Sequence, residues 1–315
     1  MRAGGSPDDM SAHPTFGTDG VRGIAISEVS PEYVLALGRA IARVLRPARV
    51  VLGRDPRVSG PVLEAAVSAG LSAEGVRCEQ MGVLPTPALA MIAQREDVPA
   101  IVITASHNKY TDNGVKVFAA GGRKLVDAQE RAIEAETHRI LNEGLGDDAV
   151  AHASGVVVRR SDGISLYVDH FVELFGEGTL SGVRVAIDCA NGAMSAVAPL
   201  VLSRLGADVI TLHDAPDGTN INDGCGATSS IDLGFAFDGD GDRLIAVDEN
   251  GAIVDGDRLI ALSALDRRER GALPGNTVVV TVMSNLGFHR AMAAAGIGVV
   301  TTAVGDRNVL DAIDD

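Results

Sequence analysis

Leu233-Gly234-Phe235-Ala236-Phe237-Asp238-Gly239-Asp240-Gly241-Asp242-Arg243 sets an apolar run directly before three carboxylates spaced two residues apart. The apolar run predicts a buried strand that delivers an acidic loop to the edge of a sheet. Aspartates this close repel one another, so folding alone does not favour the pattern. A hard cation resolves the conflict, because Mg²⁺ and Ca²⁺ prefer oxygen ligands. Gly239 and Gly241 permit the positive-φ turns that would converge the carboxylates. Asp238, Asp240 and Asp242 are therefore candidate metal ligands. An EF-hand is rejected although Glu249 falls at its twelfth position, because Arg243 stands where that loop needs glycine. The flanks also read as strands: residues 244–248 and 252–254 predict a hairpin around Glu249-Asn250-Gly251.

The chain's 315 residues are enough for about two domains, or three small ones. Hydrophobic residues make up 46% and aromatic ones 3%, with no Trp, so the core must be aliphatic. The net charge of −15 argues against nucleic acid or an anionic membrane as partner, since both need a basic face. It does not exclude an anionic small substrate, because a metal and local cations can dominate one cleft. Cys78, Cys189 and Cys225 are widely spaced and form no CxxC pair, which points away from a disulfide framework or a zinc site. No signal peptide or long apolar run stands out, so a cytoplasmic protein is expected.

Upstream, helices and strands alternate. Ser30 can cap a helix with Pro31 at its first position, running to about residue 45. Strands are expected at 50–52, 76–81 and 100–104, helices at 59–74, 86–95 and 127–142, and a hairpin over 114–125. A polar stretch, 144–155, reads as a linker. A second unit follows: helix 164–175, strand 183–188, helix 193–205 and strand 208–212, then the acidic loop. A third begins near 275, with strand 277–282, helix 286–295 and strand 299–304. The expected division is a disordered extension over 1–14, a first domain over 15–155, a second over 156–262, and an incomplete third over 263–315.

A second constellation follows the strand at 100–104. Thr104-Ala105-Ser106-His107-Asn108 begins at a strand's carboxyl end, where open α/β sheets place ligands. A loop serine is commonly only a turn or cap residue. The lysines shift that balance. Lys109, Lys116 and Lys124 are the only three in the chain, all within sixteen residues of one another. Lysine is a compact charge whose pKa shifts readily, suited to proton transfer and phosphate contact. Lys116, in Asn113-Gly114-Val115-Lys116, is the strongest candidate. Arg22 lies in Phe16–Gly23 (FGTDGVRG), and Arg54 and Arg57 lie in Gly53–Gly60 (GRDPRVSG). Any one could be a solvated turn arginine. Together with Ser106 and the acidic loop they suggest a metal-assisted phosphoryl site. A nucleotide donor has little support, since neither GxxxxGK[ST] nor GxGxxG is present.

FGTDGVRG, TASHNKYTDNGVK, NINDGCGAT (Asn220–Thr228) and FDGDGDR, in this order, resemble the α-D-phosphohexomutases. The resemblance runs from Thr15 almost to the last residue. It implies an α/β fold of consecutive αβα sandwich domains with mixed, mostly parallel sheets. It implies that Ser106 carries the phosphoryl group, and that Asp238, Asp240 and Asp242 hold one Mg²⁺ together with a Ser106 phosphate oxygen. Arg22, Arg243, Asn108 and Lys116 would contact phosphate or substrate, with Arg22, His107 and Lys116 joining Ser106 in catalysis. DNG in the serine loop and NIN-x-x-CG favour the branch acting on glucosamine phosphates. The reaction would interconvert glucosamine 6-phosphate and glucosamine 1-phosphate through a bisphosphate, feeding UDP-N-acetylglucosamine and peptidoglycan precursors. A phosphosugar partner and room for a homodimer are implied as well. The alternatives are a phosphomannomutase/phosphoglucomutase, or a noncatalytic truncated remnant that binds metal or phosphosugar.

Departures from the family pattern set two further expectations. The chain ends soon after Gly305-Asp306-Arg307, before the family's sugar loop and fourth domain. Ser229-Ser230 bridge directly where relatives have a helix, which would force a reversed or strained entry into the strand ending at Phe237.

Overall fold

The computed structural model describes residues 14–17, 20–144, 154–228, 234–248 and 250–314. Its first sheet is built from β1 (Phe16–Gly17), β2 (Gly20–Ile24), β3 (Arg49–Arg54), β4 (Arg77–Val83), β5 (Ala100–Ile103), β6 (Asp112–Phe118) and β7 (Val157–Arg159), in the order β1-β2-β6-β5-β3-β4-β7. β5, β3, β4 and β7 run parallel, whereas β6 is antiparallel to both β5 and β2. The hairpin expected over 114–125 is therefore a central strand. Its return arm is reduced to one bridge, Phe118 to Lys124. Val157–Arg159, beyond the expected linker, pairs with Cys78–Gln80 and completes this sheet.

Helices α1 (Pro31–Leu45), α2 (Gly60–Ala73) and α4 (Asp127–Glu143) cover one face; α3 (Thr86–Glu96) lies on the other. Helix α1 begins where sequence places it. The Ser30 hydroxyl accepts from the Tyr33 amide at 3.1 Å, and Pro31 occupies the first helical position. It buries Val34, Leu37 and Ile41 completely. Each such side chain contributes about 1.5–3 kcal/mol, so Leu37→Ala alone would cost about 2–5 kcal/mol.

The second sheet holds β8 (Arg184–Asp188), β9 (Asp208–Leu212), β10 (Gly234–Phe237), β11 (Leu244–Val247) and β12 (Ile253–Val254), ordered β12-β11-β10-β8-β9. β10 is parallel to β8, with Phe235 opposite Ile187 and Ala236 opposite Asp188. The reversed strand entry expected from the missing helix does not occur. More than twenty residues separate β9 from β10, ample for a crossover between parallel strands. Ser229, Ser230 and Ile231 themselves lie outside the described residues, as do most of the amino-terminal extension and of the linker. The expected hairpin after the acidic loop is present as antiparallel β11 and β12, and β11 also pairs antiparallel with β10, the strand before the loop.

Helix α5 (Gly163–Phe175) and α6 (Ala198–Arg204) pack against the α3 side of the first sheet. Tyr167, Val168, Val197 and Val201 share one buried cluster with Leu89, Ile92 and Val102. The helix expected over 193–205 is broken into a short 3₁₀ turn and α6, with Pro199 near the start of the latter. This shared apolar core fixes the second sheet against the first. A third unit, α7 (Gly256–Glu269), β13 (Thr277–Thr281), α8 (Leu286–Ala294), β14 (Gly298–Thr302) and α9 (Asp306–Asp314), has two parallel strands around a small core of Val278, Val280, Phe288 and Met292.

Candidate active site

Ser106 follows β5 and sits in a left-handed backbone conformation, φ 57°, that L-residues rarely adopt. Such strain costs on the order of 1–3 kcal/mol and persists only where the surroundings hold it. They do so here. The Ser106 amide donates to Thr104 Oγ1 at 2.9 Å, and that hydroxyl donates to Asp55 Oδ2 at 2.6 Å. Asp55 pairs with Arg57 at 2.8 Å, and neither side chain has any exposed surface. The Arg57 guanidinium donates to the carbonyls of Ser106 at 2.8 Å, Asn108 at 2.9 Å and Asp112 at 3.1 Å, and also to that of Lys109. Sequence offered Arg57 as one of several phosphate-site arginines. The structure buries it beneath the serine loop as its scaffold. Arg54 is likewise turned away, toward Glu64 at 3.2 Å.

The acidic loop meets the serine loop across the junction of the two sheets. Ser106 Oγ donates to Asp238 Oδ2 at 2.7 Å. Gly239 is required by proximity, because a Cβ there would lie 2.6 Å from the Ser106 carbonyl oxygen and 2.8 Å from Asn222 Nδ2. Gly241 is required by conformation, with φ 73°. The sequence argument for positive φ thus holds at Gly241, while Gly239 serves close approach. Thr86, at the start of α3, donates its hydroxyl to Asp240 Oδ2 at 2.5 Å, and its amide donates to the Asp240 carbonyl at 2.9 Å.

Lys116, on β6 opposite Val102, reaches Asp240 at 2.7 Å and Asp242 at 2.8 Å. These carboxylates hold its ammonium above the ordinary lysine range even though burial acts the other way. Asp240 lies below the usual carboxylate range; burial opposes this, and Lys116 and Thr86 outweigh it. Asp238 is pushed up to about 6 by burial and by the charges of Asp240 and Asp242. His107 Nδ1 is 3.4 Å from Ser106 Oγ, and burial together with Arg243 and Arg22 lowers its pKa, favouring the neutral imidazole. Arg22 lies on β2 opposite Gly114 of β6. Asn108 contributes its carbonyl to the scaffold and its amide to Asp112 at 2.9 Å. Of the other lysines, Lys109 is exposed and Lys124 pairs with Asp306 of the third unit at 2.8 Å.

The three aspartates fit a hard cation. One oxygen of each lies within 4.8 Å of the others, and the buried Asp240 Oδ1 has no hydrogen-bond partner. Four residues that sequence reading passed over complete the site, Thr86 on Asp240 being the first. Asp55 and Thr104 form the scaffold with Arg57. Asn222, in the NIN motif, donates to the Ser106 and Asn108 carbonyls at 2.9 and 3.1 Å. It is the last residue of the Asn220-Ile221-Asn222 run quoted for the family resemblance, and that motif was its signal.

A strained serine facing a carboxylate loop, with a buried Lys and a neutral His beside it on an αβα scaffold, is the set of groups that metal-assisted phosphoryl transfer uses. The sequence matches the three α/β/α domains of phosphoglucomutase/phosphomannomutase: domain I over residues 13–143, domain II over 165–251 and domain III over 255–315. It is 50% identical over 316 residues to a phosphoglucosamine mutase of Desulforudis audaxviator, covering 94% of this chain and 69% of that protein. A phosphoglucosamine mutase of Nocardia farcinica is 47% identical over 327 residues, covering 94% and 70%. Among solved structures, a phosphoglucomutase/phosphomannomutase family protein from Burkholderia thailandensis superposes with a TM-score of 0.79 at 26% identity, covering 94% of this chain and 68% of that one. A putative phosphomannomutase from Thermus thermophilus shares the fold, with a TM-score of 0.78, 23% identity, and coverage of 95% and 71%. The chain belongs to the phosphoglucomutase/phosphomannomutase family and groups with its phosphoglucosamine mutases; it is an isomerase of the phosphohexomutase class. Among the described residues no helix is long and apolar enough to cross a membrane.

Proposed function

We propose that this chain interconverts glucosamine 6-phosphate and glucosamine 1-phosphate, with Ser106 as phosphoryl carrier and a hexosamine bisphosphate as intermediate. The observation that carries the reading is the Ser106–Asp238 contact between two loops 132 residues apart in sequence. Residues 15–155 supply the serine loop and 156–262 the carboxylate loop. Asp238, Asp240 and Asp242 would hold Mg²⁺, which would spread the negative charge of the transferring group. Phospho-Ser106 transfers its phosphoryl to a sugar hydroxyl as the bond from phosphorus to the serine oxygen breaks; His107, neutral and 3.4 Å from Ser106 Oγ, accepts the hydroxyl's proton and returns it to the serine oxygen. Lys116 stays protonated and stabilises charge developing on the serine oxygen. Arg22 and Arg243 both act electrostatically on His107 and would suit phosphate oxygens. After the bisphosphate reorients, the serine recovers a phosphoryl group from its other end, so phosphate is conserved over the cycle.

A cytoplasmic location, a role in supplying cell-wall precursors and assembly as a homodimer belong to the same reading. Turnover on glucosamine, mannose and glucose phosphates, measured on the full chain and on Ser106→Ala, tests it. The expected result is glucosamine phosphate isomerisation that Ser106→Ala abolishes. Preferential turnover of mannose or glucose phosphates would assign the neighbouring branch. Mg²⁺ binding without isomerisation of any of the three would favour a noncatalytic binding module.

A further inference from the structure

A second group of potential ligands lies outside the phosphoryl site, and the proposed reaction does not use it. Asp188 at the end of β8, His213 just after β9, and Cys225 before the 3₁₀ turn at Gly226–Thr228 come from three separate segments. Their donor atoms all lie within 4.8 Å of one another, with His213 Nδ1 3.0 Å from Asp188 Oδ2. We propose that Asp188, His213 and Cys225 form a binding site for a borderline-soft divalent cation of the zinc type.

Donor chemistry separates this group from the Asp238–Asp242 loop. An oxygen, an imidazole nitrogen and a sulfur suit zinc, whereas an all-oxygen set suits magnesium. Metal–ligand lengths of about 2.0–2.3 Å place tetrahedral ligand atoms about 3.3–3.7 Å apart. With no pair more than 4.8 Å apart, the widest pair needs to draw in by at most about 1.1–1.5 Å, which side-chain rotation can supply. Neighbouring groups already orient the ligands, as metal sites require. Asp188 Oδ1 accepts from the Ala190 amide at 2.9 Å and Oδ2 from the Gly226 amide at 2.8 Å. Asn191 Nδ2 lies 3.9 Å from Cys225 Sγ, and the Asn191 amide donates to the His213 carbonyl at 2.6 Å. Asp188 and Cys225 are buried, while the His213 side chain is 44% exposed, giving an entry path and room for water as fourth ligand.

The site has a structural consequence for the serine loop. A metal bound there closes residues 213–225 at both ends, and that segment carries Asn222, which grips the Ser106 and Asn108 carbonyls. Occupancy would thus stiffen a contact on the phosphoryl carrier from outside the phosphoryl site.

The test uses the 315-residue chain with excess Mg²⁺ to occupy the acidic loop. Co²⁺ titration is followed by thiolate-to-cobalt charge-transfer absorption, and Zn²⁺ titration by calorimetry. The expected result is one equivalent with a thiolate band, lost in Cys225→Ser, and Zn²⁺ affinity at least about tenfold weaker in both Cys225→Ser and His213→Ala. His213 is partly exposed, so His213→Ala keeps the test decisive if Cys225→Ser fails to fold. Absence of a thiolate band, or Zn²⁺ affinity unchanged in His213→Ala, overturns the proposal and leaves a hydrogen-bonded Asp–His pair beside a thiol. Loss of Zn²⁺ binding only in Asp240→Asn overturns it too, by placing the metal in the acidic loop. The outcome does not depend on which sugar phosphate the chain isomerises.

Discussion

Replacing Arg57 by Met removes a guanidinium that has no exposed surface, and it leaves Asp55 equally buried without its cation. Breaking a buried ion pair on one side costs about 3–5 kcal/mol, because the remaining charge is uncompensated. Some of the stranded acceptors keep other donors. Asn222 still reaches the Ser106 and Asn108 carbonyls, and Thr104 still reaches Asp55. The expected destabilisation is therefore near 3 kcal/mol, a large part of the roughly 5–15 kcal/mol of a typical domain. Relaxing Ser106 out of its left-handed conformation would return about 1–3 kcal/mol of strain, and that relaxation moves Oγ away from Asp238. Urea unfolding of Arg57→Met should show the loss, together with slowed Ser106 phosphorylation by a hexose bisphosphate. Pairing it with Asp55→Asn should recover part of the stability without restoring phosphorylation. A stability change under about 1 kcal/mol combined with weakened phosphate binding would refute the scaffold role, since a solvent-facing phosphate ligand behaves that way.

Three further outcomes follow from the same geometry. Lys116→Met should lower stability, because it strands the buried Asp240 carboxylate, and lower mutase turnover by about 10²–10³-fold, with urea unfolding and steady-state kinetics as the checks. Asp238 takes up a proton as pH falls through about 6, so Mg²⁺ affinity should drop there. Calorimetry in buffers of different ionisation enthalpy should find proton release on binding at pH 6 and almost none at pH 8. Hydrogen bonds from Arg160 hold Glu96 and Asp162 below their ordinary range, so these groups contribute stability above the unfolded carboxylate range that is lost as pH falls through their depressed values. Melting curves from pH 7 to pH 3 should show that loss in the native chain and a smaller one in Arg160→Met.

Ser106, Lys116 and the three aspartates were legible because each breaks a local expectation. The aspartates repel, the lysines cluster in an arginine-rich chain, and the serine ends a buried strand. Their scaffold was not legible. Arg57 looks like a solvated turn arginine, since arginine is rarely fully buried, and its acceptors are carbonyls of a loop some fifty residues away. The short strands β1 and β7 carry too few residues for a periodic signal, and β7 is defined by pairing with β4. The helix expected over 193–205 is interrupted between Ser195 and Ala198, because Pro199 is tolerated only in a helix's first turn, a signal readable in the sequence. The parallel entry of β10 could not be read, because it depends on the path taken by the residues between it and β9.

Phosphoryl occupancy of Ser106 tests the central claim most directly. Purified chain treated with glucosamine 1,6-bisphosphate and Mg²⁺, digested and analysed by tandem mass spectrometry, should carry one phosphoryl group on the peptide containing Ser106. Glucosamine 6-phosphate should then remove it. A modification elsewhere, or none on Ser106 in a chain that still isomerises glucosamine phosphate, would contradict the account.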